Sequence, residues 1–252
     1  FLLMDINNAH HWEELLSKLC VPDTTTVRNA TELVQQSMQH PSSFLMLFQL
    51  IQHSKMDQVR HLAGVLCRRS VNKHWQATPQ ETQAEIKKIS FQLLVQDSMS
   101  RPVRKSVADI IARIMQQSPQ WSDFLDNVQQ LMKSGDASHR DIGYYLFQTL
   151  IDSDNLRGTF ITPNTGHTLE IIAAGLKDSN QDVRIRSLTC ANALLNHLHV
   201  EDPVVTQYIQ LLPAIIQVIN FSVEDGDDRV SVGFELLSTL TEEFMVHLQP
   251  MV

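Results

Sequence analysis

The sequence predicts an all-α protein built as a row of helix pairs, and three observations carry that expectation. Apolar residues recur at three- and four-residue steps along almost the whole chain, as in Phe44, Leu47, Phe48 and Ile51, or Val103, Val107, Ile110, Ile111 and Ile114. The composition agrees: 8 Gly and 9 Pro in 252 residues, with 43% hydrophobic residues, favour helices over short strands and tight turns. Every second helix opens on a related dipeptide: Val27-Arg28, Val59-Arg60, Val103-Arg104, His139-Arg140, Val183-Arg184 and Arg229-Val230. Their arginines step by 32, 44, 36, 44 and 45 residues, close to the period of about 40 to 47 that marks two-helix HEAT repeats.

A helix pair of that size cannot bury its apolar faces alone, so neighbouring pairs must stack around a continuous core. The expected architecture is therefore a right-handed α-α superhelix, a solenoid of about six HEAT repeats forming one array over residues 1–252. Repeat 9–40 has an outer helix near His10 to Cys20, a break at Pro22-Asp23 and an inner helix near Thr25 to Gln39. Repeat 41–76 opens at Pro41-Ser42 and pairs Ser42 to His53 with Gln58 to Asn72. Repeat 79–117 pairs Pro79 to Val95 with Pro102 to Gln117, and repeat 122–152 pairs Ser122 to Lys133 with Ser138 to Ile151. Repeat 163–199 pairs Thr165 to Lys177 with Asp182 to His199. Repeat 202–249 pairs Pro203 to Phe221 with Asp228 to Leu248 across the turn Glu224-Asp225-Gly226-Asp227-Asp228.

These breaks supply what helix ends need: side-chain oxygens for caps, Pro in a first turn, Gly for a left-handed position. Asp57, Ser100, Ser138 and Asp182 stand where caps of inner helices belong. The stretch Asn155 to His167 is polar and has no assigned place in a helix pair. Phe234, Leu237, Leu240 and Phe244 form an apolar stripe on the last inner helix, and the chain then ends at Met251-Val252 without a polar capping repeat. Together with a start at Phe1 instead of Met, this reads as the N-terminal piece of a longer array.

Several function classes find no footing. There is no GxxxxGKS/T loop, GxGxxG turn, GxSxG elbow or HExxH helix, so catalysis has no motif and no catalytic residue or cofactor is assigned. His10-His11 and His197-Leu198-His199 lack the spacing and third ligand of a zinc site. The acidic turn at Glu224 to Asp228 lacks the alternating ligands of an EF-hand, so no metal is expected. Cys20, Cys67 and Cys190 are odd in number and far apart, which suits a reducing compartment. The apolar run from Val204 to Val223 is interrupted by Gln207, Gln210, Pro213, Gln217 and Asn220, and so reads as a buried helix without membrane insertion.

One segment stands apart. The chain carries a formal charge of -8, yet Gln58 to Gln80 contains no carboxylate while holding Arg60, Arg68, Arg69 and Lys73. On a helical wheel Val59, Leu62, Ala63, Leu66 and Ser70 share the core-facing side, Arg68 lies opposite, and Arg60 and Arg69 take opposite flanks. Charges so dispersed, with Trp75 the only nearby aromatic, do not make a phosphate-tracking groove, so no direct nucleic-acid partner is expected. Arg28, Arg60, Arg104 and Arg184, each at the start of an inner helix, read as a structural ladder pairing with turn carboxylates such as Asp23, Asp57 and Asp182. Arg68, Arg69 and Lys73 are the freer candidates for a partner.

VRHLAGVLCRRSVNKHW, residues 59–75, resembles the N-terminal segment of importin-β family nuclear transport receptors, in which an Arg-x-x-Ala-x-x-x-Leu-(Lys/Arg) helix runs on to a Trp. Arg60, Ala63, Val65, Leu66, Arg68, Arg69 and Trp75 carry the match. Pro22-Asp23 with Val27-Arg28-x-Ala30-Thr31-Glu32, and Gln210-Leu211-Leu212-Pro213 followed by Asp227-Asp228, are similar to first and sixth repeats of that family. The Arg-Arg pair and the polar linker to Glu81 look most like the importin-4 and importin-5 branch, whose cargoes include ribosomal proteins and histones. His139-Arg140 departs from the family's Val-Arg.

The resemblance implies a karyopherin with armadillo-like helical repeats that takes part in protein transport. It would shuttle between cytoplasm and nucleus through the nuclear pore. It implies binding of the Ran GTPase in its GTP form by inner helices, with Asn29, Glu32, Arg68, Arg69 and Lys73 as contacts. It also implies binding of nucleoporin Phe-Gly repeats between outer helices, where Leu169, Ile172, Tyr208 and Leu211 fall, although the same four fit a core role. Basic protein cargo such as ribosomal proteins or histones would complete the partner set. A static HEAT scaffold for a phosphatase or kinase assembly is the alternative reading.

Overall fold

The computed structural model describes residues 9–248, and among them there is no strand. Expectations that rest on Phe1 and on Met251-Val252 fall outside this range. The chain divides between Trp121 and Ser122 into two compact units.

The first unit contains α1 Ala9–Leu19, α2 Thr24–Ser37, α3 Ser42–His53, α4 Asp57–His74, α5 Gln80–Leu94 and α6 Arg101–Gln117. α1 packs on α2 and α3, α3 on α4, α5 on α6, and α4 lies along α6. Outer helices thus meet outer helices and inner meet inner, the arrangement that lets successive pairs share a core. Phe44, Leu47 and Ile51 of α3 face Val59, Ala63, Cys67 and Val71 of α4 across a fully buried interface. Gly64 fixes how closely α4 and α6 approach: a Cβ there would lie 2.6 Å from the Ser106 Cβ.

Trp75, just beyond α4 and fully buried, meets the edge of Phe44 with ring centroids 6.0 Å apart. It also donates its indole N–H to Ser118 Oγ at 2.8 Å, so the buried polar atom is satisfied as burial demands. Trp121 makes a similar edge contact with Phe91 at 5.5 Å. The Lys87 ammonium lies 5.9 Å from the Trp75 ring centre and 5.1 Å from that of Trp121.

The second unit contains α7 Phe124–Met132, α8 Ala137–Asp152, the short α9 Asp154–Leu156, α10 Thr165–Leu176, α11 Gln181–Leu195, α12 Val205–Ile209, α13 Leu212–Glu224, α14 Ser231–Glu243 and α15 Met245–Leu248. Here α8, α11 and α14 form the inner row, with α7, α10 and α13 packed outside it. Gly175 of α10 sits against Ser187 Oγ and Tyr144 Cζ so tightly that a Cβ would come within 2.6 Å of each.

Several expectations are corrected. The stretch Asn155 to His167, unassigned from the sequence, runs from the end of α9 through a π turn, Arg157–Ile161, and a 3-10 turn, Thr162–Asn164, into α10. Leu156 and Ile161 anchor this segment in the core. The outer helix expected from Pro203 to Phe221 is two helices, because Pro213 sits in the first turn of α13, where a missing N–H costs nothing. The apolar stripe of α14 divides: Leu240 and Phe244 are buried while Phe234 is exposed. Ser100 stands at the expected cap of α6, whereas the caps of α4, α8 and α11 lie upstream of Asp57, Ser138 and Asp182. Asp136 Oδ1 accepts the Ser138 N–H at 2.7 Å, and Asn180 Oδ1 accepts that of Val183 at 3.3 Å. Asp57 is the first residue of α4, whose cap Met56 contributes no side-chain bond, as is true of Ser100 before α6.

The arginine ladder is present with different partners. Arg60, buried, donates to the Ile51 carbonyl at 3.0 Å, the Ser98 carbonyl at 3.3 Å and Met99 Sδ at 3.1 Å. Arg104, also buried, donates to the Gln96 carbonyl. Arg184 reaches the carbonyls of Asp178 and Ser179, while Arg28 is exposed. Arg60, Arg104 and Arg184 thus donate to carbonyls in the last turn of the preceding outer helix or just beyond it. Arg140 grips the Asp178 carboxylate at 2.7 and 2.8 Å, and Arg229 bonds the carboxylates of Asp182 and Asp227.

Candidate functional site on the inner helices of the first unit

The inner helices of the two units differ in charge. α4 and α6 together carry eight Lys or Arg, namely Arg60, Arg68, Arg69, Lys73, Arg101, Arg104, Lys105 and Arg113, against Asp57 and Asp109. In the second unit α8, α11 and α14 carry Arg140, Arg184 and Arg186 against six carboxylates, Asp141, Asp152, Asp182, Glu235, Glu242 and Glu243. With Arg60 and Arg104 buried, the cations these helices show to solvent are Arg68, Arg69 and Lys73 on α4 and Arg101, Lys105 and Arg113 on α6. Spacing within α6 made its three readable: Arg101, Lys105 and Arg113 recur at multiples of four.

The five residues expected to meet Ran do not share one environment. Asn29 and Glu32 are exposed on α2. Arg69 is exposed, and Lys73, one turn on, reaches back to Gln39 Oε1 at 3.3 Å beyond the end of α2. Arg68 is less free than the wheel suggests, because its guanidinium meets Asp109 of α6 at 2.9 Å. A wheel for one helix cannot show what the neighbouring inner helix offers. That pair is half-exposed, so its contribution to stability is small, about 0.2–1 kcal/mol.

Between α4 and α6 lies an open cleft of about 390 Å³, lined by His61, Val65, Arg101, Pro102, Lys105, Ser106 and Asp109. His61, Arg101 and Lys105, none of which was singled out from the sequence, stand exposed at its rim. The signal existed in the four-residue spacing of α6, but its juxtaposition with His61 needs the packing at Gly64.

The four residues expected to form a nucleoporin groove belong to the core: Leu169, Ile172, Tyr208 and Leu211 are 5%, 0%, 0% and 8% exposed. Tyr208 also donates its hydroxyl to the Ala191 carbonyl at 2.8 Å, and burial pushes its phenol pKa upward. Among the described residues no group of His, Cys, Asp and Glu could hold a metal, and no helix is long and apolar enough to cross a membrane.

Stacked helix pairs of this kind define an array of α-helical repeats. Residues 99–252 match the family described as IPO5-like, TPR repeats, and residues 30–96 match the importin-beta N-terminal domain. The chain belongs to the importin-β family of karyopherins, in its IPO5-like branch.

Among curated proteins it is 23% identical over 246 residues to importin-4 of Mus musculus and 24% identical over 241 residues to importin-4 of Homo sapiens. Each match covers 94% of this chain, which spans 22% of the relative's length. Among solved structures, Kap121p superposes with a TM-score of 0.77 at 20% identity, covering 99% of this chain and 24% of that one. Kap121p bound to RanGTP gives 0.76 at 20% identity, with 99% and 23% coverage. Kap121p bound to Nup53p gives 0.76 at 19% identity, with 100% and 24% coverage. These likenesses establish the HEAT-repeat solenoid fold.

Proposed function

We propose that this chain acts in nuclear transport, binding Ran in its GTP form through the inner helices of the first unit. The concentration of Lys and Arg on α4 and α6, in a chain of net charge -8, carries the reading. Family membership supports it, as does the likeness to a karyopherin solved with RanGTP. Asn29 and Glu32 on α2, with Arg69 and Lys73 on α4, are the proposed contacts. Arg68 contributes after exchanging Asp109 for the partner. Basic cargo such as ribosomal proteins or histones and nucleoporin Phe-Gly segments complete the proposed partner set, and shuttling between cytoplasm and nucleus follows from it. No residues of this chain are assigned to cargo or nucleoporins.

The mechanism is a coupling of two binding equilibria. A repeat array distributes strain over many small interfaces, so partners that prefer different curvatures exclude one another through linkage. RanGTP would thereby favour release of cargo.

Calorimetric titration with Ran loaded with a non-hydrolysable GTP analogue, against Ran-GDP, tests the proposal. We expect a clear preference for the GTP form, and a loss of at least about tenfold in affinity, 1.4 kcal/mol, for the Arg69→Glu/Lys73→Glu double variant. Equal affinity for both nucleotide forms would overturn the Ran reading in favour of a static scaffold. Unchanged affinity in the double variant would remove Arg69 and Lys73 from the site.

A further inference from the structure

We infer that Thr162, in the stretch between α9 and α10 that the transport reading leaves unused, is a phosphorylation site for a proline-directed serine/threonine kinase. The inference stands on the geometry of that stretch and does not depend on Ran binding.

The sequence offers three Ser/Thr-Pro dipeptides, Thr78-Pro79, Ser118-Pro119 and Thr162-Pro163. A kinase can select such a pair because proline lacks the backbone N–H, so a pocket with no hydrogen-bond acceptor takes proline and disfavours every other residue. The structure separates the three. Thr78 Oγ1 donates to the His74 carbonyl at 2.9 Å, and the Thr78 carbonyl accepts the Gln83 side-chain amide at 3.0 Å. Ser118 Oγ accepts the indole N–H of buried Trp75 at 2.8 Å. Both hydroxyls are thus tied to the chain around Trp75, and both residues are half-buried.

Thr162, Pro163 and Asn164 are all exposed. The Thr162 hydroxyl donates to the Arg157 carbonyl at 3.3 Å, the longest of these bonds. The surrounding stretch is loosely held: Leu156 and Ile161 are its buried anchors, and a Cβ at Gly158 would meet nothing within 4 Å. Presenting Thr162 in the extended form that a kinase cleft accepts requires lifting Ile161 and releasing the Thr165 hydroxyl from the Thr162 carbonyl. That is a local opening which leaves the helix pairs on either side intact.

In the reaction Thr162 Oγ1 attacks the γ-phosphorus of ATP held by the kinase. The Oγ1–P bond forms, the bond from the γ-phosphorus to the bridging oxygen breaks, ADP leaves, and the hydroxyl proton passes to the kinase's catalytic carboxylate. The product places a charge of about −1.5 to −2 and three strong acceptor oxygens at an exposed position, the chemistry that an arginine-lined pocket of a partner reads.

Incubation of the whole chain with an activated mitogen-activated protein kinase and ATP, followed by tandem mass spectrometry, tests the inference. Incorporation at Thr162 should exceed that at Thr78 or Ser118 at least about tenfold. Thr162→Ala should remove most of the phosphate, and Pro163→Ala, which keeps the hydroxyl but restores the N–H, should slow incorporation at least about tenfold. Circular dichroism melts would confirm that both variants remain folded. A synthetic peptide of residues 156–168 separates the two ways of failing. Phosphorylation of the peptide but not of the chain would overturn the inference because the fold keeps Thr162 closed; phosphorylation of neither would overturn it because the dipeptide is not read. Phosphate confined to Thr78 or Ser118, or a rate indifferent to Pro163→Ala, would overturn it as well.

Discussion

Replacing Arg140 with Met should destabilise the second unit by about 3 kcal/mol. The guanidinium makes two charge-assisted bonds to Asp178, at 2.7 and 2.8 Å, and two more to the carbonyls of Ser134 and Gly135, at 2.9 and 3.0 Å. The paired side chains are 15% and 12% exposed, so the substitution strands a largely desolvated carboxylate. Breaking a buried pair by removing one partner costs about 3–5 kcal/mol. The lower end applies because Asp178 retains the Asn180 N–H at 2.8 Å. At about 2–4 °C per kcal/mol for a chain of this length, Tm should fall by about 6–12 °C. Arg140→Lys keeps the charge but not the fork and should lose about half as much.

The pH dependence gives an independent check. Burial works to raise the Asp178 carboxyl, but the Arg140 guanidinium and the Asn180 amide outweigh it and hold the group below its ordinary value. A depressed folded pKa adds stability above the unfolded value, about 3.9, and that stability is lost as pH falls through the folded value. The gap in Tm between the parent and Arg140→Met should therefore be constant from neutral pH to about pH 5 and narrow toward about pH 3. A fall in Tm below about 2 °C would refute the reasoning, as would a gap that ignores acid.

Two further substitutions probe packing. Gly175→Ala places a methyl 2.6 Å from Ser187 Oγ and Tyr144 Cζ, and overpacking of this kind should cost about 1–3 kcal/mol in denaturant unfolding; Gly158→Ala, where a Cβ would meet nothing within 4 Å, should be nearly neutral. Trp75→Phe keeps an aromatic ring against Phe44 but forfeits the 2.8 Å bond to Ser118, so a loss of about 1–2 kcal/mol is expected in the same measurement.

The helix pairs were legible because burial imposes a period, and a period survives in one dimension. The ranges Ser42 to His53 and Thr165 to Lys177 met α3 and α10 to within a residue. Residues 155–167 were not, since their two anchors, Leu156 and Ile161, are five apart, a spacing that suits a π turn and escapes a search at three and four. Side-chain roles were harder. The arginines opening inner helices were visible, but whether a guanidinium meets a carboxylate or a row of carbonyls depends on which turn lies beside it. The same holds for Tyr208 and Leu211, whose apolar periodicity fits a groove and a core equally until neighbours are placed.

The charged contacts between successive inner helices also carry a polarity. In the first unit the cation comes from the earlier helix, Arg68 meeting Asp109, 41 residues on. In the second the contact between α8 and α11 runs the other way, Asp141 meeting Arg186 across 45 residues; Arg229, in the turn that opens α14, likewise meets Asp182 across 47, while Arg140 of α8 meets Asp178 in the turn before α11. Repeats of such an array look interchangeable, since each is a helix pair of similar length, but these contacts make them non-commutative. A chimaera that laid α4 directly beside α11 in the same register would set Thr189 opposite Arg68, where α6 offers Asp109, and His61 opposite Arg186, where α8 offers Asp141, so both ion pairs would be lost. Recombination within the array is thus confined to exchanges that preserve the order of charge, and the chain carries in its side chains a record of which repeat follows which.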